Sequence, residues 1–369
     1  MTEGGRNTWI EISPEFFGVL WQFVDNDDIT DIDYNGKELW VRDYNNNRRK
    51  VTDIEISQNF IRQFTQRIAN SVSKEFNKQH PVLEAETKRL RISIVHESVA
   101  VTGRSICIRK TLPVTRITAK NAVESGYVSK EMLSFLVNCV KAHMNLTICG
   151  EPGVGKTECA KFLSGYIPDK ERVITIEDNL EWHYHQIKPY ADCVELQVSE
   201  LFGYQDAIVT SLRQNPKWLM VSEVRGEEVA SYIQQLTTGV NGITTLHTDD
   251  VRKVPERLVN MAADRIGRER MESDIYSFLD VAVLIRIKRN EEGKERRYLD
   301  QLCLFENKNQ KLQSSLIFDN GQLVTGELSE DIKNKFLRAG IREPFLCREI
   351  EEELRWKNQR GSIKRPVVI

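Results

Sequence analysis

The sequence predicts an α/β protein in two parts: a larger domain on a mostly parallel sheet, preceded by a smaller α+β domain. Three observations carry this expectation. Gly150-Glu151-Pro152-Gly153-Val154-Gly155-Lys156-Thr157 fills every fixed position of the pattern G-x-x-x-x-G-K-[S/T]. It follows an apolar run, Leu146-Thr147-Ile148-Cys149, and precedes Cys159, Ala160, Phe162 and Leu163 at helical spacing. Beyond it, strand-like and helix-like stretches alternate as they do in parallel sheets, whereas residues before about 112 pattern as hairpins around one long helix.

Taken in order, residues from Pro14 to about Asp25 read as a helix, with Phe16, Phe17, Leu20, Trp21 and Val24 on one face. Ile29 to Tyr34 alternates as a strand. Asn35-Gly36 is a hairpin turn and Leu39-Trp40-Val41 returns from it. A polar turn at Asn45-Asn46-Asn47 leads into a further strand-like run, Val51 to Ile56. Phe60, Phe64, Ile68, Val72 and Phe76 recur every four residues, a helical period. Two strands follow Pro81: Leu90, Ile92 and Ile94 alternating with Arg89, Arg91 and Ser93, and then Ser105 to Lys110. These elements form a first domain over 1–112, with a linker at 113–121 marked by Pro113 and a polar stretch.

The second domain is expected over 122–343. It holds a helix from Lys130 to His143, then strands at Val173 to Ile176, Cys193 to Leu196, Leu219 to Val221 and Gly242 to Leu246. Val281 to Ile287 and Arg297 to Phe305 read as a late hairpin. Residues 344–369 read as a charged tail, helical at first and basic at Lys364-Arg365.

Composition narrows the function classes. The net charge of −2, from 52 basic and 54 acidic residues, argues against a generally basic nucleic-acid-binding body, and no direct sequence-specific nucleic-acid binding is expected. No apolar run approaches the roughly 18 residues of a membrane span, and Met1 to Gly5 lacks a signal-type segment. The seven cysteines form no C-x-x-C pair, and Cys107, Cys149 and Cys159 lie in apolar stretches as reduced core thiols do. A cytoplasmic chain without a protein-built metal site is the expectation.

The phosphate loop carries the most specific chemistry. Its glycines let backbone N–H groups converge on phosphate oxygens, and the helix that follows adds its positive end. Gly150 through Thr157, with Glu158 next, would wrap a nucleoside triphosphate; Lys156 would reach the β- and γ-phosphates and Thr157 would hold Mg²⁺. A partner carboxylate is needed at another strand end. Glu223, after Trp218 to Val221, fits a group that orients or deprotonates water. Glu177 and Asp178, with Glu181 close by, form a second acidic cluster, for which an ordinary charged turn is the plain alternative. His247 ends a third strand and could bond the γ-phosphate, whereas His183 and His185 read as surface or loop residues. Arg213 and Arg225, and Arg91, Arg104 and Arg109 from the first domain, could offset phosphate charge or simply form salt bridges.

Together these blocks resemble the secretion ATPase superfamily of type II and type IV secretion and type IV pilus systems, with greatest similarity to CpaF-type and conjugation-type ATPases. Gly150 to Thr157 resembles its Walker A loop, and Thr175 to Glu181 its aspartate box. Leu212 to Pro216 through Val221 to Glu227 resembles its Walker B block, and Thr238 to His247 its histidine box. Arg89 to Ser93 and Ile106 to Lys110 resemble strands of its first domain. The sequence departs from the pattern at Ser222, where the family usually has Gly, at Lys217, and at Val240 and Ile243.

The resemblance implies a RecA-like ATPase domain and a hexameric ring that hydrolyses ATP with Mg²⁺. It also implies a peripheral position at the inner face of the membrane, docked on an integral membrane platform protein. Catalytic roles would fall to Glu223, Glu177, Lys156, His247 and Arg213, with Arg91 and Arg109 reaching phosphates. Thr157 would ligate Mg²⁺, and Glu177 and Glu223 would do so through water. A nucleotide-binding scaffold with little turnover is the alternative, and a DNA-translocating motor is disfavoured by the balanced charge.

Overall fold

The protein was described as a computed structural model, which covers residues 10, 12–44, 47–87, 89–289 and 295–356. Met1 to Gly5, part of the turn expected at Asn45 to Asn47, and the basic tail at Lys364-Arg365 lie outside these residues. By internal contacts the chain forms two compact units, the first running to Pro113 with 179–181 and Glu295, the second comprising the other described residues from Val114.

In the first unit, short helices α1 (Pro14–Phe17) and α2 (Trp21–Val24) flank a 3₁₀ turn. One continuous helix was expected here. Gly18 breaks it, at φ +50°, in a spot where a Cβ would lie 2.8 Å from the Phe60 ring. Then come β1 (Ile29–Tyr34), β2 (Leu39–Asp43), β3 (Arg48–Lys50), α3 (Gln58–Ser71), β4 (Val82–Glu86), β5 (Leu90–Val95) and β6 (Ser105–Lys110). The six strands make an antiparallel sheet ordered β3-β2-β1-β6-β5-β4. The Ser57 hydroxyl caps α3 by accepting the Phe60 N–H, and Ile61, Phe64 and Ile68 pack its apolar face onto the sheet.

Several expectations shift in this unit. The third strand precedes Val51 instead of spanning Val51 to Ile56, because Arg48–Lys50 find hydrogen-bonding register with β2. α3 stops at Ser71, and Phe76 reaches the core from the following loop, edge-on to His96. β4 had no sequence signal: it is an edge strand whose Val82 and Glu84 are exposed. Cys107 points outward on β6 and is not a core thiol.

The second unit begins with α4 (Ala119–Glu124), which starts within the stretch 113–121 expected as linker and runs past it. Thr118 and Asn121 form a reciprocal capping box, and Ala119 and Ala122 are buried. It continues through α5 (Lys130–Lys141), β7 (Leu146–Gly150), α6 (Lys156–Ser164), β8 (Val173–Glu177), α7 (Tyr184–Ile187), β9 (Cys193–Gln197), α8 (Tyr204–Ser211), β10 (Trp218–Val221) and α9 (Glu228–Leu236). Next are β11 (Asn241–Leu246), α10 (Val254–Ile266), α11 (Arg268–Phe278), β12 (Val281–Arg289), β13 (Glu295–Lys308), β14 (Lys311–Asp319) and β15 (Gln322–Leu323). α12 (Glu330–Arg338) and α13 (Arg348–Trp356) close the described chain. α13 falls in the expected tail, and its Ile350 is wholly buried in the core.

The nine strands order as β15-β14-β13-β12-β7-β11-β10-β8-β9, with parallel pairing from β12 through to β9. β7, β8, β10 and β11 are buried along their whole length, as strands covered on both faces must be. Alternate residues feed two cores: Leu146, Ile148, Trp218 and Met220 face one, and Cys149, Leu219 and Val221 the other. This register gathers the carboxyl ends of β7, β8, β10 and β11 at one edge. Each of the four carries a motif block.

Candidate nucleotide-binding site

The phosphate loop joins β7 to α6. Gly150 has φ +147°, and a Cβ there would meet the Ile285 carbonyl at 2.7 Å, so only glycine fits the close approach of β12. Gly155 has φ +96° and caps α6, whose first residue is Lys156. Glu151, Pro152 and Gly153 are exposed while Val154 and Lys156 are buried, which leaves the loop's rim open to a ligand. Thr157 follows Lys156 in the first turn of α6, and the Glu158 carboxylate is held by Lys161 at 2.9 Å.

Lys156 Nζ donates to the carbonyls of Gly150 at 3.2 Å and Glu151 at 3.1 Å, and lies 3.1 Å from His247 Nδ1. On the other side of the ring, His247 Nε2 is 3.0 Å from Glu223 Oε1. A carboxylate only accepts, so Nε2–H donates to Glu223. Nδ1 lies 3.1 Å from both Lys156 Nζ, which can only donate, and the Gly150 carbonyl, which can only accept; in a neutral ring with its proton on Nε2 it takes the bond from Lys156. Burial, and then the Lys156 charge, hold His247 below the ordinary imidazole range, although Glu223 pulls the other way. That direction favours the neutral ring, in which the His247–Glu223 contact is a hydrogen bond.

The second Glu223 oxygen, Oε2, accepts from Arg225 Nε at 2.7 Å and Nη2 at 2.6 Å. Four sequence-expected residues thus form one line, Lys156–His247–Glu223–Arg225. β-sheet register explains it: Val221 lies opposite Thr244 in β11, and Leu246 opposite Cys149 in β7, so the residues just past these ends converge. Beside the line a cleft of about 600 Å³ opens, walled by Gly150, Pro152, His247, Asp249, Lys253 and Arg257 among others.

The remaining expected residues lie off this line. Glu177 ends β8 with its carboxylate wholly buried, Oε2 accepting the Trp182 N–H at 3.0 Å. Arg213 is exposed in the 3₁₀ turn that precedes β10, at the opposite end of that strand from Glu223. Arg91 and Arg109 belong to the first unit, paired across β5 and β6 on the exposed face of its sheet. Arg104, also there, is bound to Glu97 at 2.6 Å and to the Thr65 hydroxyl, which is the salt-bridge role. His183, expected on the surface, is buried at the start of α7 between Trp182 and Tyr184; apolar neighbours on both sides were the signal for it.

Two contributors carried no motif. Arg297 Nη2, from β13, donates to the Gly153 carbonyl in the loop at 3.2 Å. Tyr204 Oη lies 2.8 Å from Ser222 Oγ and 3.2 Å from Asp178 Oδ1.

The donor set also bears on Mg²⁺. Among the described residues no three His, Cys, Asp or Glu side chains cluster as a metal cage. A hydroxyl at Thr157 and a carboxylate at Glu223 suit a hydrated Mg²⁺ that takes its other ligands from water and substrate phosphates. Glu177, expected to act through water, has its Oε2 on the Trp182 amide.

Comparison with known proteins agrees with this geometry. A family model described as "Type II/IV secretion system protein" matches residues 78–322. An uncharacterized protein of Bacillus anthracis is 29% identical over 339 residues, spanning 88% of this chain and 76% of its own length. The type IV secretion system protein VirB11 of Bartonella quintana is 29% identical over 187 residues, 47% of this chain and 51% of that protein. The solved structure of the Yersinia pseudotuberculosis ATPase DotB has a TM-score of 0.60 at 18% identity, covering 82% of this chain and 81% of that one, a likeness in fold. With a phosphate loop on a RecA-like sheet and the family model matching from the first unit through the second, this chain belongs to the family of type II and type IV secretion ATPases.

Proposed function

We propose that this chain hydrolyses ATP to power type II or type IV secretion, conjugative transfer or pilus assembly. In this reading it works as a homo-hexameric ring on an integral membrane platform protein at the inner face of the cell membrane. The observation that carries the reading is the continuous line from Lys156 through His247 to Glu223, across two strand ends. Family membership supports the assembly. Among the described residues no helix is long and apolar enough to cross a membrane, which is compatible with docking on a separate platform protein.

The chemistry follows from charge and reach. The Lys156 ammonium, at the base of the loop, offsets charge that builds on the β- and γ-phosphates. Glu223, held by one oxygen at His247 and by the other at Arg225, orients a water in line with the γ-phosphorus. As the new O–P bond forms and the bond to the β-phosphate oxygen breaks, the water's proton passes to Glu223. Thr157 would hold Mg²⁺ directly and Glu223 through water; the ion when bound neutralises phosphate charge. Neutral His247 joins the two charged groups and reports, through Lys156, whether phosphate is in the loop.

The test is phosphate release by the purified full chain with Mg²⁺ and ATP, alone and with lipid vesicles. Turnover that disappears in Lys156→Ala is the expected result. Tight ATP binding with no turnover in either condition would move the reading to a nucleotide-binding scaffold.

A further inference from the structure

The end of β10 carries a polar feature that the hydrolysis mechanism does not use. Ser222 stands between Val221 and Glu223. Its N–H donates to the Ile176 carbonyl at 2.9 Å and its own carbonyl accepts the Thr245 hydroxyl at 2.7 Å, so its backbone is pinned to the strands on both sides. Its hydroxyl is 2.8 Å from Tyr204 Oη.

One arrangement of the protons satisfies every contact in this network. The Asp178 carboxylate accepts only, so the Tyr204 hydroxyl donates to Asp178 Oδ1 at 3.2 Å. The Asp178 N–H donates back to Tyr204 Oη at 3.1 Å. The phenol's single proton is then committed, and the Ser222 hydroxyl must be the donor to its remaining lone pair. Burial holds the Tyr204 phenol above its ordinary range, so that proton stays in place. Asp178 Oδ2 in turn lies 3.8 Å from Arg225 Nη1, and Arg225 grips Glu223 Oε2 with Nε and Nη2. A path of hydrogen bonds and one ion pair therefore runs Ser222–Tyr204–Asp178–Arg225–Glu223, starting and ending on adjacent residues of one strand end.

We infer that Tyr204 and Ser222 are positioning residues that fix the aim of the Glu223 carboxylate, acting through Asp178 and Arg225. A glycine at 222 has no hydroxyl to supply, and a phenylalanine at 204 removes the phenol's bond to Asp178. The Asp178 carboxylate beside Arg225 is then less firmly placed, and so is the guanidinium that grips Glu223 Oε2. The inference rests on the reading of Glu223 as the group that orients water.

The experiment measures kcat and KM for ATP, affinity for a fluorescent ATP analogue, and melting temperature. It uses the full chain and the variants Tyr204→Phe, Ser222→Ala, Ser222→Thr, the Phe/Ala double variant and Glu223→Gln. Tyr204→Phe and Ser222→Ala are expected to lower kcat about tenfold with KM and analogue affinity held within about twofold. The double variant should fall no further than Tyr204→Phe, because both cut one path. Ser222→Thr, which keeps the hydroxyl, should restore turnover. Wild-type kcat in both single variants, beside a dead Glu223→Gln, would overturn this inference and leave the hydrolysis reading standing. Glu223→Gln with full turnover would overturn both. Loss of kcat, affinity and melting temperature together, without rescue by threonine, would mean packing alone and would also overturn it.

Discussion

The ends of β8 and β10 lie side by side, paired through Ile176 and Val221; β8 ends on Glu177, and Glu223 lies two residues past the end of β10. Their carboxylates have different fates. Glu177 is wholly buried and accepts a backbone N–H from Trp182, whose own side chain is packed in the core. Glu223 keeps 12% of its side chain exposed and has each oxygen on a different partner, His247 on one side and Arg225 on the other. A carboxylate at a neighbouring strand end does not by itself have the same surroundings. The surroundings differ: one oxygen of Glu177 accepts a backbone N–H in a buried turn, and Glu223 is partly exposed beside His247, which the proposed mechanism uses to prepare the water.

That contrast can be broken or sharpened by mutation. The largest effect is expected at the shared anchor: Lys156→Ala should reduce phosphate release on the order of 10³-fold, since it removes the charge aimed at the phosphates and unties His247. Next, Glu223→Gln should cost roughly 10²- to 10³-fold in kcat while nucleotide affinity, read by a fluorescent analogue, stays near wild type. Glu177→Ala should behave otherwise. Leaving the buried Trp182 N–H unpaired should cost about 1–3 kcal/mol of stability by chemical denaturation. Its isosteric partner Glu177→Gln, which keeps an acceptor for that N–H, should retain turnover to within about tenfold. A Glu177→Gln variant that folds normally and hydrolyses nothing would erase the distinction between the two strand ends.

The smallest effect concerns pH. His247 is held below its ordinary value of 6.5 in the folded chain, so the unfolded chain takes up the proton first as the solution is acidified. The stability tied to the neutral ring is present above 6.5 and is lost as pH falls from there through the lower folded-state value. Melting temperature measured from about pH 7 to about pH 5 should therefore drop more steeply for wild type than for His247→Gln. Equal slopes would show that the ring is not held neutral.

Much of this was legible in the sequence because it depends on residue identity at fixed spacing. The phosphate loop, the strand ends at Glu177, Glu223 and His247, and the alternation of Leu90, Ile92 and Ile94 all read directly. Parallel strands buried on both faces leave short apolar runs, and the groups just past them are where sequence places chemistry. What did not read was whatever depends on partners distant in the chain. β4 and β14 carry polar or exposed positions that blur their alternation, and pairing with a neighbour makes them strands. α4 looked like linker because a six-residue helix with a capping box carries little apolar signal. Arg297 and Tyr204 reach the site from segments with no motif, and only the fold brings them there.

The most direct test of the account is steady-state phosphate release by wild type and Glu223→Gln, with nucleotide affinity measured on the same samples. The account predicts turnover in the wild type, its near-complete loss in the variant, and equal affinity in both. Equal turnover in the two proteins would contradict it, because the carboxylate joined to Lys156 through His247 would then not be the group that prepares the water.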